Sequence, residues 1–429
     1  YSSAASDVYK RQLPINRAEE FFVLQTGDPI GDEIGYVDPE TNMERHVPLE
    51  IRIPSEKETF YNETFEELGL YTETPTLPFA TLGTLGWSHS SKEVNDGSSQ
   101  FFFFLYEAEL NPAGRNLIDG RNAAFGYVVD GFEVLEEEFN SCLTGHGRVE
   151  RLWTGARWVE GPVWFPAGRF LLFSDIPNNR MLRWDETNGS VSEFRNPSNF
   201  SNGNTRDLQG RLITCQHLSR SVTRTEHSGQ VTTLATHFDG KRLNSPNDVV
   251  VKSDGSIWFT DPDYGIMSDY EGRKSPSEQS SCNVFRIDQK TGNVSLITDR
   301  LLKPNGLCFN KSESKLYISD TGGSHVKGGP RNIYSFDLRE EKITSENSKL
   351  FAECSNGLFD GFRIDSEDRI WTSAADGVHC YNSVGILIGK IKIPEIVSNV
   401  CFGGERLNRL FITGTTSLYS AYLAVNGIR

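Results

Sequence analysis

Residues 240–265 read GKRLNSPNDVVVKSDGSIWFTDPDYG, and this stretch decides the fold. A polar turn carrying Asn244, Asn247 and Asp248 feeds a short apolar run, 249–251. Asp254-Gly255 then turns the chain into a second run, 256–260, which ends on Asp261-Pro262-Asp263. An Asp-Gly turn between two short strands signals a hairpin, because glycine tolerates the positive φ that the turn needs. The same unit recurs along the chain. Glu160-Gly161-Pro162-Val163-Trp164 leads to 170–175, Pro304-Asn305-Gly306-Leu307 to 315–320, and Asp360-Gly361-Phe362 to 369–373. Each unit sets a polar or acidic residue before a small residue, then an apolar strand, a turn and a second strand rich in aromatics. Repetition at one phase predicts small sheets stacked radially about an axis. Second strands at 170–175, 211–215, 256–261, 315–320, 369–373 and 409–414 predict six blades. The fold class is therefore all-β, a six-bladed β-propeller over 149–429. A long β-sandwich, the alternative, does not need the same polar residue at the head of each inner strand.

Composition narrows the partners. The 429 residues carry a net charge of −15 with no Lys/Arg run, which argues against nucleic acid. No apolar stretch approaches the length of a membrane span, so no membrane partner is expected. The seven cysteines include no C-x-x-C pair, which speaks against a zinc or redox motif and favours free buried thiols. Residues 1–12, YSSAASDVYKRQ, lack an apolar segment and read as a non-native or disordered leader. The compartment is left open between cytoplasm and plastid for a soluble chain.

Residues 13–140 have a different texture: strand candidates at 21–25, 47–53, 97–105 and 124–129, and a helix candidate over 132–139 with Phe132, Leu135 and Phe139 on one side. Arg17, Phe22 and Gln25, then Ser99-Gln100-Phe101-Phe102, then Asp119-Gly120 with Ala124-Phe125-Gly126, resemble cyclophilin-type peptidyl-prolyl isomerases, above all those of the thylakoid lumen. The resemblance implies a partial cyclophilin-like β-barrel whose proline pocket is formed by Arg17, Phe22, Gln25, Gln100 and Phe102, with a proline-containing peptide as partner. Leu117 and Asn122 stand where that family has an indole and an imidazole. A polar, glycine-containing run at 141–148 serves as linker to the propeller.

Glu160, Asn247, Asn305 and Asp360 hold equivalent positions, and in a propeller such positions converge on the axial channel. Two carboxylates and two amide carbonyls suit a hard divalent cation. Together with Arg242-Leu243-Asn244-Ser245-Pro246-Asn247-Asp248, the motifs quoted above resemble the gluconolactonase and senescence-marker-protein family across the whole of 150–429. The resemblance implies a six-bladed propeller that hydrolyses sugar lactones or related esters. It makes Glu160, Asn247, Asn305 and Asp360 the ligands of one metal ion, with Ca²⁺ favoured over Mg²⁺, Zn²⁺ or Mn²⁺, and Asp360 also the base. His217, directly after its strand, is a candidate proton shuttle; Arg206, Asn244 and Asn247 are candidate substrate contacts. Asp261 and Asp320 end inner hairpins, where carboxylates usually accept backbone N–H bonds. Two other functions stay open: isomerase activity from the N-terminal part, and a non-catalytic interaction propeller stabilised by its metal.

Overall fold

The computed structural model describes residues 15–19, 23–26, 41–43, 46–53, 58–70, 75, 84–89, 93–98, 100–104, 121–127, 131–144 and 147–428 except 339–342 and 344–346. The chain divides into two compact units, Tyr1–Val129 and Asp130–Arg429.

In the first unit, five short antiparallel strands form one sheet in the order Ile15–Glu19, Val23–Thr26, Phe101–Phe104, Thr84–Trp87, Ala124–Tyr127. Register sets Arg17 opposite Gln25, and Gln25 opposite Phe102, in one row across three strands. A second small apolar cluster gathers Leu49, Ile51, Ile53 and Phe65.

The second unit contains six blade sheets, each built on four strands, and a separate two-stranded hairpin, His237–Phe238 with Lys241–Arg242. The first blade is Val159–Phe165, Phe170–Asp175, Arg180–Asp185 and Val191–Arg195; the second begins at Ser201–Arg206, the third at Val249–Val251, the fourth at Pro304–Phe309, the fifth at Phe362–Ile364 and the sixth at Val397–Gly403. Val149–Thr154, which precedes the first blade in sequence, is the outermost strand of the sixth, pairing with Ser417–Tyr422. The ring is thus closed by strand pairing between the two ends of the unit, which leaves no inner sheet edge open.

Why the strands stack in this way follows from where their apolar side chains go. Each junction between neighbouring blades has its own apolar cluster, such as Trp164, Phe173 and Trp184 with Phe411 and Leu418 between the first and sixth. A blade is consequently buried on both faces, and its second strands, Ile257–Asp261 or Ile370–Ala374, are buried at every position. All seven cysteines are free, and six of them are buried.

One local expectation fails. Residues 132–139 do not form a helix. Phe132–Val134 is a strand added to the outer edge of the fifth blade, with Phe132 opposite Ile391, and Glu137–Cys142 is a 3₁₀ turn. Phe139 is completely buried, its ring 5.8 Å from Trp371 and so close to Gly389 that any side chain there would strike it. Phe132 satisfies a ready-made sheet edge and Phe139 a glycine notch, while Leu135 stays exposed, and those tertiary contacts override the helical spacing.

Candidate active site

The inner strands start with a repeated backbone clamp. The Ser174 hydroxyl donates to the Asn202 carbonyl at 2.8 Å, Thr260 to Asn305 at 2.7 Å, and Ser319 to Asp360 at 2.8 Å. Gly203 N–H donates to the Asn247 carbonyl, and Gly361 N–H to that of Ser398. Read around the ring, these links place Glu160, Asn202, Asn247, Asn305, Asp360 and Ser398 at the same level of six successive blades. The next residue of each strand is Gly161, Gly203, Asp248, Gly306, Gly361 or Asn399. Glycine is needed here because the blades touch: a Cβ on Gly161, whose φ is +55°, would sit 2.1 Å from the Asn202 carbonyl oxygen, and one on Gly361 would sit 2.0 Å from Asn399.

The four residues proposed from sequence as ligands therefore share one ring. Glu160 is almost fully buried; one carboxylate oxygen accepts from the Gly161 N–H and, at 3.0 Å, from the Asn399 amide. Burial and the neighbouring Asp248 carboxylate nevertheless push Glu160 up to about 7. Asp360 is half-buried, and burial, Glu160 and Asp248 hold its carboxyl well above the usual range against a hydrogen bond from Asn305. Three carboxylates thus crowd the axis, with Arg363 3.5 Å from Asp248 as their nearby cation. Negative charge is undercompensated there. Among the described residues, no three His, Cys, Asp or Glu side chains come together as a metal-binding group, so an ion on this axis would draw on amide oxygens too.

His217 and Asn244 lie near this level but in other roles than the sequence suggested. His217 is buried; its Nδ1 lies 2.9 Å from the Glu271 carbonyl and its Nε2 3.2 Å from the Asn202 side-chain nitrogen. A carbonyl accepts, so Nδ1 carries the proton and Nε2 accepts from Asn202. Burial lowers the pKa of His217, in keeping with the neutral ring. With both nitrogens engaged, His217 is not placed as a proton shuttle. Asn244 is likewise fully used: its N–H and side-chain amide donate to Asp261, and the amide also to the Ser281 carbonyl, while its Oδ1 accepts from Ser277 at 2.5 Å. It anchors the 268–281 segment instead of facing a substrate.

Arg206 is not brought to the ring at all. It ends the inner strand Ser201–Arg206 and lines a cavity of about 720 Å³ at the opposite ends of the inner strands, beside Val163, Trp164, Arg363 and Phe402, with its guanidinium 5.9 Å from the Phe165 ring centre. Four residue steps of extended chain, each about 3.3 Å, separate Arg206 from Asn202 at the ring. Asp320 accepts from the backbone N–H groups of Leu302, Lys303 and Gly322, a turn-building role. Sequence reasoning missed Asn202, Ser398, Asn399 and Arg363. Asn202-Gly203 shows the same polar-then-glycine signature as Glu160-Gly161, so a signal existed for it; none existed for Asn399, which reaches Glu160 only through ring closure.

Above the ring, Tyr264 donates or accepts at Thr321 Oγ1 (2.6 Å) and Ser324 Oγ (3.0 Å), tying the 321–330 turn down. Lys303 pairs with Asp263 and lies over the Tyr264 ring. In the first unit Gln25 and Gln100 hydrogen-bond side chain to side chain, next to buried Phe102. Phe22 and the Arg17 side chain lie outside the described residues.

Comparison with known proteins agrees with both halves. Residues 158–416 match the SMP-30/Gluconolactonase/LRE-like region family, and residues 3–150 the cyclophilin type peptidyl-prolyl cis-trans isomerase family. A gluconolactonase from Zymomonas mobilis is 31% identical over 69% of this chain and 86% of its own. A gluconolactonase structure from Xanthomonas campestris superposes with a TM-score of 0.64 at 35% identity, covering 68% of this chain and 95% of its own. A regucalcin from Agrobacterium tumefaciens, described as a calcium-binding protein, shares the fold at a TM-score of 0.54 and 17% identity, over 65% of this chain and 94% of its own. A chloroplastic peptidyl-prolyl cis-trans isomerase of Arabidopsis thaliana is 47% identical over 29% of this chain, which spans only 28% of that protein's length. The chain belongs to the SMP-30/gluconolactonase family, with a cyclophilin-like region ahead of its propeller.

Proposed function

We propose that the propeller hydrolyses a sugar lactone or a related ester at the upper end of its axis. The observation that carries this is the pair Glu160 and Asp360, two carboxylates whose pKa values burial and neighbouring acids raise, in a ring where Asn202, Asn247 and Asn305 offer amide oxygens. Such a set fits a hard divalent cation, Ca²⁺ before Mg²⁺, Zn²⁺ or Mn²⁺, held by Glu160, Asn247, Asn305 and Asp360. When bound, the ion would polarise the substrate carbonyl and stabilise the oxyanion that forms on it.

The chain's own residues do the rest. Asp360, the more accessible of the two carboxylates, takes a proton from the attacking water and returns it to the leaving ring hydroxyl. Glu160 is clamped by Gly161 and Asn399 and therefore serves as a fixed anionic ligand, not as a base. Tyr264, whose hydroxyl burial and nearby carboxylates keep protonated, donates to Thr321, whose own hydroxyl donates to the Lys303 carbonyl, and so holds the 321–330 turn beside the ring. The test is pH-stat hydrolysis of glucono-δ-lactone by the full chain, with chelator, Ca²⁺ add-back and Asp360→Asn. Activity lost with chelator and with Asp360→Asn is expected; activity that survives both would contradict the assignment.

The Gln25, Gln100 and Phe102 row supports a second reading for the first unit, a pocket for a proline-containing peptide. Saturable binding of a proline peptide that Gln100→Ala weakens is the expected result there, and its absence refutes that pocket.

A further inference from the structure

Asn202 sits in the ring between Glu160 and Asn247. Its side chain is 4% exposed. Its Nδ2 donates to His217 Nε2, while its Oδ1 is buried with no hydrogen-bond partner. A buried amide oxygen left unpaired costs on the order of 1–3 kcal/mol, so such an atom calls for an explanation. The orientation of the amide does not depend on how its two ends were assigned: the Glu271 carbonyl puts the His217 proton on Nδ1, Nε2 must then accept, and the end of Asn202 facing it must be N–H. The oxygen is thereby turned the other way.

His217 is itself held from several sides. Gly265 lies so close that a Cβ there would be 2.5 Å from the His217 Cβ, and Gly272 packs in turn against the Gly265 carbonyl. The Arg273 N–H donates to that same carbonyl at 3.0 Å. The 268–281 segment, the histidine and the asparagine form one chain of contacts that ends at the axial ring.

We propose that Asn202 supplies a fifth protein oxygen to the axial cation, with His217 as the positioning residue that keeps this oxygen facing inward. The assignment rests on the axial-cation reading above. It explains three observations together: the ring position, the orphan oxygen, and a buried histidine with no nitrogen left for substrate.

The test is calorimetric titration of Ca²⁺ into the full chain. Asn202→Ala is expected to weaken Ca²⁺ binding roughly tenfold or more, and His217→Phe to do so with Asn202 intact, the range seen when groups that orient ligands are removed. His217→Gln, whose side-chain carbonyl can still accept the Asn202 N–H, is expected to restore most of the affinity. Asn202→Ser is the substitute should the alanine variant not fold. Ring ¹⁵N resonances of His217 should report the Nδ1–H tautomer; the Nε2–H tautomer would overturn the proposal. Wild-type affinity retained by both Asn202→Ala and His217→Phe overturns it as well, even where KM for the lactone rises. Absence of saturable Ca²⁺ binding by the wild-type chain refutes the axial-cation reading itself, and Glu160→Gln serves as the control for that case.

Discussion

The two ends of the propeller axis use similar residues to opposite effect. At the upper end the buried Glu160 and Asp248 and the half-buried Asp360 crowd together, short of positive charge. At the lower end Arg206, Arg363 and Lys311 border the large cavity, whose acidic residues are spoken for: Asp207 pairs with Arg211 and Glu313 accepts from Ser253. The lower end offers a cavity of about 720 Å³, but its acidic side chains are already partnered. The upper end is electrostatically frustrated, and frustration retained in a folded protein is a better pointer to chemistry than volume. Arg363 links the ends, since it lines the cavity while facing Asp248 beneath the ring.

Substitutions at the two ends should separate cleanly. Asp360→Asn should lower kcat for lactone hydrolysis by about 10²–10⁴-fold, the usual worth of a general base, whereas Arg206→Ala should leave kcat/KM nearly unchanged. A comparable loss from Arg206→Ala would erase the distinction. Arg363→Met should destabilise the chain by about 3 kcal/mol in denaturant unfolding, because it strands the Asp248 carboxylate, and adding Asp248→Asn should recover much of that loss. Failure of the double variant to recover would mean that Arg363 acts through packing.

A pH series sharpens the contrast further. In chelator, Glu160 has its pKa raised from 4.5 to about 7, so the folded chain binds a proton that the unfolded chain has released. Stability from this group is full below pH 4.5 and is lost as pH rises through 7. Thermal unfolding should therefore show a loss on the order of 2 kcal/mol between pH 5 and 8, restored by Ca²⁺ at pH 8. Asp261, which burial pushes up to about 8, adds a loss of the same sign that Ca²⁺ should not restore. The smallest effect is expected for Asp320→Asn. It disturbs three backbone N–H bonds and should cost about 1–2 kcal/mol of stability while sparing kcat.

Much of this contrast was legible in the sequence, and the gaps have physical causes. Glu160-Gly161, Asn305-Gly306 and Asp360-Gly361 announced ring positions, because in these three blades a side chain on the second residue would strike the next blade. The inner strands then break register just after those positions, between Glu160 and Val163, Ser201 and Asn204, and Pro304 and Leu307. Such bulges shift the alternation on which a strand-by-strand reading depends. Arg206 ends the strand that begins at Ser201, and a motif discloses the residue type but not which end of the axis it reaches. His217 could be located but not its tautomer, which depends on the Glu271 carbonyl, 54 residues away. Asn399 meets Glu160 from 239 residues away, a contact that exists only once the ring has closed.

Calcium titration of the full chain at pH 8, wild type beside Glu160→Gln, tests the central claim most directly. The account predicts saturable binding that Glu160→Gln abolishes, with protons released as pH is lowered toward 7, because the ion must displace the proton that Glu160 then holds. Ca²⁺ binding that is indifferent to Glu160→Gln, or no saturable binding at all, would contradict it.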